Sequence, residues 1–161
     1  HWASIYTPLT SLVSPQKPQV LWLFGPDHEV TEIGAMNFFA VLKQGDKLEL
    51  VTAPLSRGDI LPGVTRDSLL TLAKGYEGVT VSERSLTMGE LCQAESEGRF
   101  VEAFGAGTAA IVQPIKAIRY QDRDVCPSEG REDAGSLCTR LWRDLLDIQY
   151  GRVESAWSVP F

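Results

Sequence analysis

Gln44-Gly45-Asp46-Lys47 constrains this chain more than any other stretch. It links Glu29 to Val41, a run rich in β-branched and aromatic residues, to Leu48-Glu49-Leu50-Val51-Thr52, in which apolar and polar residues alternate. A short glycine-containing link between two such runs reads as a hairpin, so the chain must build a sheet. It cannot be all β. Thr65 can cap a helix running to Lys74, with Leu69, Leu70, Leu72, Ala73 and Tyr76 on its apolar side and Gly75 to end it. Thr87-Met88-Gly89-Glu90 has the capping-box pattern and predicts a second helix to about Glu97, closed by Gly98. Ser136 can cap a third, in which Leu137, Leu141, Leu145 and Ile148 recur at helical spacing before Gly151. Strands, hairpins and helices in this order predict an α+β (mixed α/β) domain.

The remaining segments fill in around that frame. Residues 1–19 contain Pro8, Pro15 and Pro18 among Ser and Thr and read as a loop or linker ahead of a folded part, residues 20–161. Gln19-Val20-Leu21-Trp22-Leu23-Phe24, ended by Gly25-Pro26-Asp27, predicts a strand buried on both faces. Val79 to Ser85 alternates like a strand. Phe100 to Phe104 is a strand that delivers a glycine loop, and Ala110 to Tyr120 continues as an apolar strand interrupted by Pro114. Asp122 to Gly135 reads as a polar loop.

Composition excludes several functions. With 161 residues the chain can form one sizeable core but not two comfortable domains. Asp and Glu number 21 against 15 for Lys and Arg, so there is no broad basic face and nucleic-acid binding is not expected. No apolar run approaches membrane-spanning length, which predicts a soluble chain. Cys92, Cys126 and Cys138 are widely spaced with no C-x-x-C pair, fitting reduced thiols in an intracellular compartment and offering no zinc site or other metal site. His1-Trp2-Ala3 lacks an initiator Met and any signal-peptide pattern, so the sequence reads as beginning in mid-protein.

Three segments carry candidate chemistry. In Phe104-Gly105-Ala106-Gly107-Thr108-Ala109-Ala110 the small residues leave backbone N–H groups approachable and Thr108 adds a hydroxyl, which suits an anionic oxygen; a tight turn between strands reads the same way. Glu32, in Thr31-Glu32-Ile33-Gly34-Ala35-Met36-Asn37, places a carboxylate in an apolar stretch, where it needs a cationic or proton-donating partner unless it simply points to solvent. Leu61-Pro62-Gly63-Val64-Thr65-Arg66 ends at a helix start, whose free N–H groups attract phosphate, as do those of ordinary helices. His28, between Asp27 and Glu29, reads as a solvated turn residue, and no serine has a histidine in a hydrolase framework.

The order and wording of Val20-Leu21-Trp22-Leu23, Thr31 to Asn37, Ile60 to Arg66, Val81-Ser82-Glu83-Arg84, Phe104 to Ala109 and Asp147-Ile148-Gln149-Tyr150-Gly151 resemble the branched-chain amino acid aminotransferases of fold type IV. That resemblance implies an incomplete, larger C-terminal domain, the cofactor pyridoxal 5'-phosphate, and amino transfer between leucine, isoleucine or valine and 2-oxoglutarate. It implies that Glu32 pairs with the pyridine nitrogen, that Val64 and Thr65 donate backbone N–H groups to the cofactor phosphate, and that Thr108 adds a further phosphate contact. The N–H groups of Ala35 and Ala109 resemble the pair that holds the substrate carboxylate. Tyr6 is similar to the tyrosine near the cofactor's phenolic oxygen, but the same alignment puts His1 where the family has its Schiff-base lysine. Lys17, Lys43, Lys47, Lys74 and Lys116 have no matching context, so no catalytic residue is found in this chain. The expectation is a C-terminal portion inactive alone, from a cytoplasmic or mitochondrial homodimer; the alternative is a truncated remnant or pseudoenzyme that pairs with a full-length subunit.

Overall fold

The computed structural model describes residues 2–6 through their backbone, and residues 19–109, 111–128 and 135–158 in full. Strand β4, Met36–Gln44, is the axis of the fold. Phe38 through Leu42 are all buried because their side chains enter two separate cores on opposite faces of the sheet. Phe38, Ala40 and Leu42 point one way and Phe39 and Val41 the other, as the two-residue period of a strand requires. Both faces are therefore covered, though the layers differ. Helix α2, Met88–Ser96, packs Met88, Leu91 and Ala94 into the first core. Helices α1, Val64–Lys74, and α3, Leu137–Gln149, pack Leu69, Leu70, Ala73, Leu141 and Leu145 into the second.

The described strands form one sheet in the order β10-β9-β1-β2-β3-β4-β5-β6, with β7 on the other edge of β4 and β8 beyond it. Their bounds are β1 Trp2–Tyr6, β2 Gln19–Phe24, β3 Glu29–Ile33, β5 Lys47–Thr52 and β6 Val79–Glu83. The last four are β7 Phe100–Gly107, β8 Ile111–Pro114, β9 Ala117–Tyr120 and β10 Arg123–Val125. All pairings are antiparallel except β5 with β6, which α1 connects as a crossover. One edge of β4 is shared: β3 pairs with Met36 and Asn37, and β5 takes over from Phe39. This fork in the sheet positions the site.

The mixed α/β architecture and all three helices agree with the sequence reading. The hairpin at Gln44 to Lys47 is present, with Gly45 at φ +60° in its two-residue turn. Thr87 caps α2 by accepting a hydrogen bond from the Glu90 N–H, and Ser136 caps α3 through the Thr139 N–H at 3.1 Å. Glu90 does not complete a reciprocal box, because its carboxylate pairs with Arg84 instead.

Several expectations are corrected. Residues 2–6, read as part of a loop, form β1 between β2 and β9. Glu29 to Val41 is not one strand: Gly34, at φ +55°, and Ala35 make a two-residue turn of the II′ kind that folds β3 back onto β4. β2 is buried on one face only, with Leu21 and Leu23 inside and Trp22 and Phe24 outside. Helix α1 starts at Val64, so its N-cap is Gly63 and Thr65 lies within the first turn. Ala110 to Tyr120 gives two short strands, and the polar segment after Asp122 contributes β10.

Candidate functional site

A bulge in β3 sets the direction of Glu32. Leu21 pairs with Ile33 and Leu23 with Val30, so Trp22 faces two residues, Thr31 and Glu32. The extra residue lets both Val30 and Ile33 enter the first core although they are three apart, and it turns Glu32 to the opposite face, the one it shares with its partner Asn37. Thr31 Oγ1 closes the bulge by donating to the Trp22 carbonyl at 2.9 Å. The odd spacing of Val30 and Ile33 was the signal in the sequence, since no regular strand can bury both.

Glu32 is half-buried on that face and is tied to the loop that opens α1. Its Oε1 accepts from the Leu61 N–H at 3.0 Å and from Asn37 Nδ2 at 3.3 Å. Asn37 Nδ2 also donates to the Leu61 carbonyl at 2.8 Å. Both bonds to the carboxylate fall on one oxygen, so Oε2 has no hydrogen-bond partner among the described residues. Sequence reasoning missed Asn37, which is 4% exposed. The available signal was an amide inside an otherwise apolar strand, because a buried amide must find partners.

The same loop leads into α1, whose N-cap, Gly63, has no side chain to cap the first turn. The N–H groups there carry the positive end of the helix dipole. Val64 is 77% exposed, while Thr65 is buried beneath it. Arg66 is also buried, donating to the Ala53 carbonyl at 2.9 Å and pairing with Glu83 at 2.7 Å, so the start of α1 is anchored from below.

The glycine segment arrives beside these parts. Asn37 pairs with Ala106 on β7, one step from Gly107, so the Thr108-Ala109 turn and the Gly34-Ala35 turn lie at the same end of the sheet. Thr108, Ala109 and Ala35 are all exposed. The glycines themselves serve a different purpose from the one expected. Gly105 and Gly107 are strand residues, and a Cβ on Gly105 would stand 2.9 Å from Met36 Cε and 3.0 Å from Ile33 Cγ2. They are small because Met36 lies across them. Gly105→Ala is therefore expected to destabilise the fold by about 1–3 kcal/mol, measured by chemical denaturation. Met36→Ala should recover part of that loss; no loss in the single variant would remove the packing explanation.

Some candidates are not brought here. His28 shares a 2.5 Å hydrogen bond through Nδ1 with the Tyr120 hydroxyl, whose ring it meets edge-on, so it is a partnered residue and not a solvated one. Lys43 and Lys47 stand exposed at the far end of the β4–β5 hairpin, Lys74 at the far end of α1, and Lys116 between β8 and β9. Lys17, His1 and the side chain of Tyr6 lie outside the described residues. Trp22 and Phe24, on the face that carries Glu32, are 51% and 58% exposed.

Residues 12–118 match the family Amino-transferase class IV. A branched-chain-amino-acid aminotransferase of Monosiga brevicollis is 51% identical over 142 residues, which are 87% of this chain and 36% of that protein. A cytosolic branched-chain-amino-acid aminotransferase of Ovis aries is 45% identical over 143 residues, covering 88% of this chain and 36% of the relative. Among solved structures, the branched-chain amino acid aminotransferase from Thermobaculum terrenum in its PLP form matches with a TM-score of 0.59 and 26% identity, covering 83% of this chain and 38% of the other. A 4-amino-4-deoxychorismate lyase from Pseudomonas aeruginosa matches with a TM-score of 0.57 and 27% identity, over 79% of this chain and 39% of the other. The chain thus spans well under half the length of these relatives.

Proposed function

The chain belongs to the class IV aminotransferases, and from that premise we propose that it is the larger, cofactor-holding domain of a branched-chain amino acid transaminase, with β1 part of its sheet. The reaction is amino transfer between leucine, isoleucine or valine and 2-oxoglutarate, with pyridoxal 5'-phosphate as cofactor. One observation carries the reading: a single loop, Leu61 to Gly63, is bonded to a carboxylate whose second oxygen has no partner among the described residues, and it runs directly into a helix start whose N-cap is Gly63. A cationic ring nitrogen suits the first, and a phosphate suits the second.

The residues present fit the two ends of such a cofactor. Glu32 is supported to accept a hydrogen bond from a protonated ring nitrogen through Oε2, because its other oxygen is already occupied by Leu61 and Asn37. Holding that proton keeps the ring cationic, and the bound cofactor then supplies the electron sink that amino transfer needs. The N–H groups of Val64 and Thr65 donate to the phosphate, and the Thr108 hydroxyl adds a donor from the neighbouring turn. The Ala35 and Ala109 N–H groups, on two turns at one end of the sheet, receive the substrate carboxylate. Tyr6 is assigned near the phenolic oxygen by resemblance alone.

We place the protein in the cytoplasm or the mitochondrion and pair it as a homodimer, as the resemblance implies. No helix among the described residues is long and apolar enough to cross a membrane. A second reading, a non-catalytic remnant or pseudoenzyme that joins a full-length subunit, is favoured by the positions of Lys43, Lys47 and Lys74, all at the far ends of their elements. Titrating the 161-residue chain with pyridoxal phosphate and assaying leucine-dependent glutamate formation separates the two. Leucine-dependent turnover would support the transaminase reading, binding without turnover would favour the remnant, and absence of binding at high protein concentration would sink the cofactor assignment.

A further inference from the structure

Asn37 is a buried amide on β4 that faces both Glu32 and the loop before α1. Its amide is buried between two elements, donating through Nδ2 to Glu32 Oε1 at 3.3 Å and to the Leu61 carbonyl at 2.8 Å. Its Oδ1 lies over Gly63, where an added Cβ would come within 2.4 Å. Gly63 has φ −68° and ψ 134°, an extended conformation that any residue adopts, so backbone strain does not explain the glycine. What excludes a side chain there is Asn37. The amide consequently touches the carboxylate, the loop and the N-cap of α1 at once.

We infer that Asn37 is a positioning residue that locks Glu32 to the start of α1, fixing the separation of the two groups that grip opposite ends of the cofactor. This rests on the reading of Glu32 and α1 given above. A carboxylate held by both Leu61 and Asn37 has one rotamer and presents Oε2 in one direction, which is preorganisation of a polar site. Without the amide, the Leu61 carbonyl and Glu32 each lose a donor, and the loop is free to move relative to β3.

The test uses the full-length holoenzyme carrying this segment, with pyridoxal phosphate as the probe. Asn37→Ala is expected to weaken cofactor binding about tenfold, the order of one hydrogen bond to a charged group, and to shift the pH titration of the bound cofactor's absorption spectrum. Gly63→Ala, which adds a methyl against Asn37 Oδ1 and removes no donor, should move both readouts in the same direction. Combining the two should be no worse than Asn37→Ala alone, because the clash disappears with the amide. If Asn37→Ala fails to fold, Gly63→Ala carries the test by itself. Variants that bind cofactor and titrate as the parent does would overturn the positioning role while leaving the function intact. If Glu32→Ala also titrates as the parent does, or the parent binds no cofactor, the functional reading fails and this inference with it.

Discussion

Glu32→Ala in the full-length protein is expected to lower kcat with leucine and 2-oxoglutarate by about 10²–10³-fold, the usual cost of removing one preorganised electrostatic partner. Folding should suffer far less. The substitution removes an acceptor from the Leu61 N–H and from Asn37, at a cost of about 1–2 kcal/mol. Glu32→Gln makes the distinction sharper, since its amide oxygen still accepts from Leu61 while the charge is gone. It should keep most of the stability and lose most of the turnover. Steady-state kinetics beside thermal melting reads both, and a near-normal rate in either variant would refute the assignment of Glu32 to the ring nitrogen.

Glu102→Leu is expected to have the opposite signature, a large loss of stability at a residue remote from the chemistry. Glu102 sits on β7 and is 4% exposed, with Oε1 accepting from the Leu137 N–H at 2.8 Å and Oε2 from the Cys138 N–H at 2.9 Å. These are the first amides of α3, so the carboxylate binds the positive end of the helix dipole and holds the helix onto the sheet. Replacing it leaves both N–H groups buried without acceptors, at about 2–4 kcal/mol. Ser136 satisfies the Thr139 N–H and cannot substitute. Burial drives the neighbouring Cys138 thiol upward, and the Glu102 carboxylate adds to that shift, so Cys138 stays protonated and packs as an apolar residue. Urea denaturation of Glu102→Leu against the parent measures the effect, and a change below 1 kcal/mol would show that α3 docks by its apolar face alone.

How legible the fold was depended on where the deciding forces lay. Helix limits were readable because capping is local: Thr87 and Ser136 satisfy N–H groups three residues away, and Gly98 and Gly151 adopt positive φ just past the ends. The β3–β4 turn was missed because Gly34-Ala35 interrupts a run rich in β-branched and aromatic residues, which favour strands. β1 was missed because its prolines lie beyond Tyr6, and pairing with β2 and β9 overrode the loop composition of the segment. Trp22 and Phe24 misled the burial reading, since one run of apolar residues looks the same whether one face or two are covered.

For the candidate site, the segments around Glu32, Leu61 to Arg66 and Phe104 to Ala110 stood out by their residue types, whereas the roles proposed for Glu32, Val64, Thr65, Thr108, Ala35 and Ala109 rest on the resemblance. Their arrangement could not be read from the chain. The bulge opposite Trp22 aims Glu32, the fork in β4 admits the Leu61 loop, and Asn37 joins them across 24 positions of sequence. By itself the sequence determined the mixed class, the caps of α2 and α3 and the identity of the polar groups, all of which follow from interactions within a few residues. Tertiary structure alone decided which face Glu32 takes, why Gly63 and Gly105 carry no side chain, and which amide ties the carboxylate to the helix. Those outcomes depend on contacts between strands and loops far apart in the chain, where only close packing settles which atoms share a space.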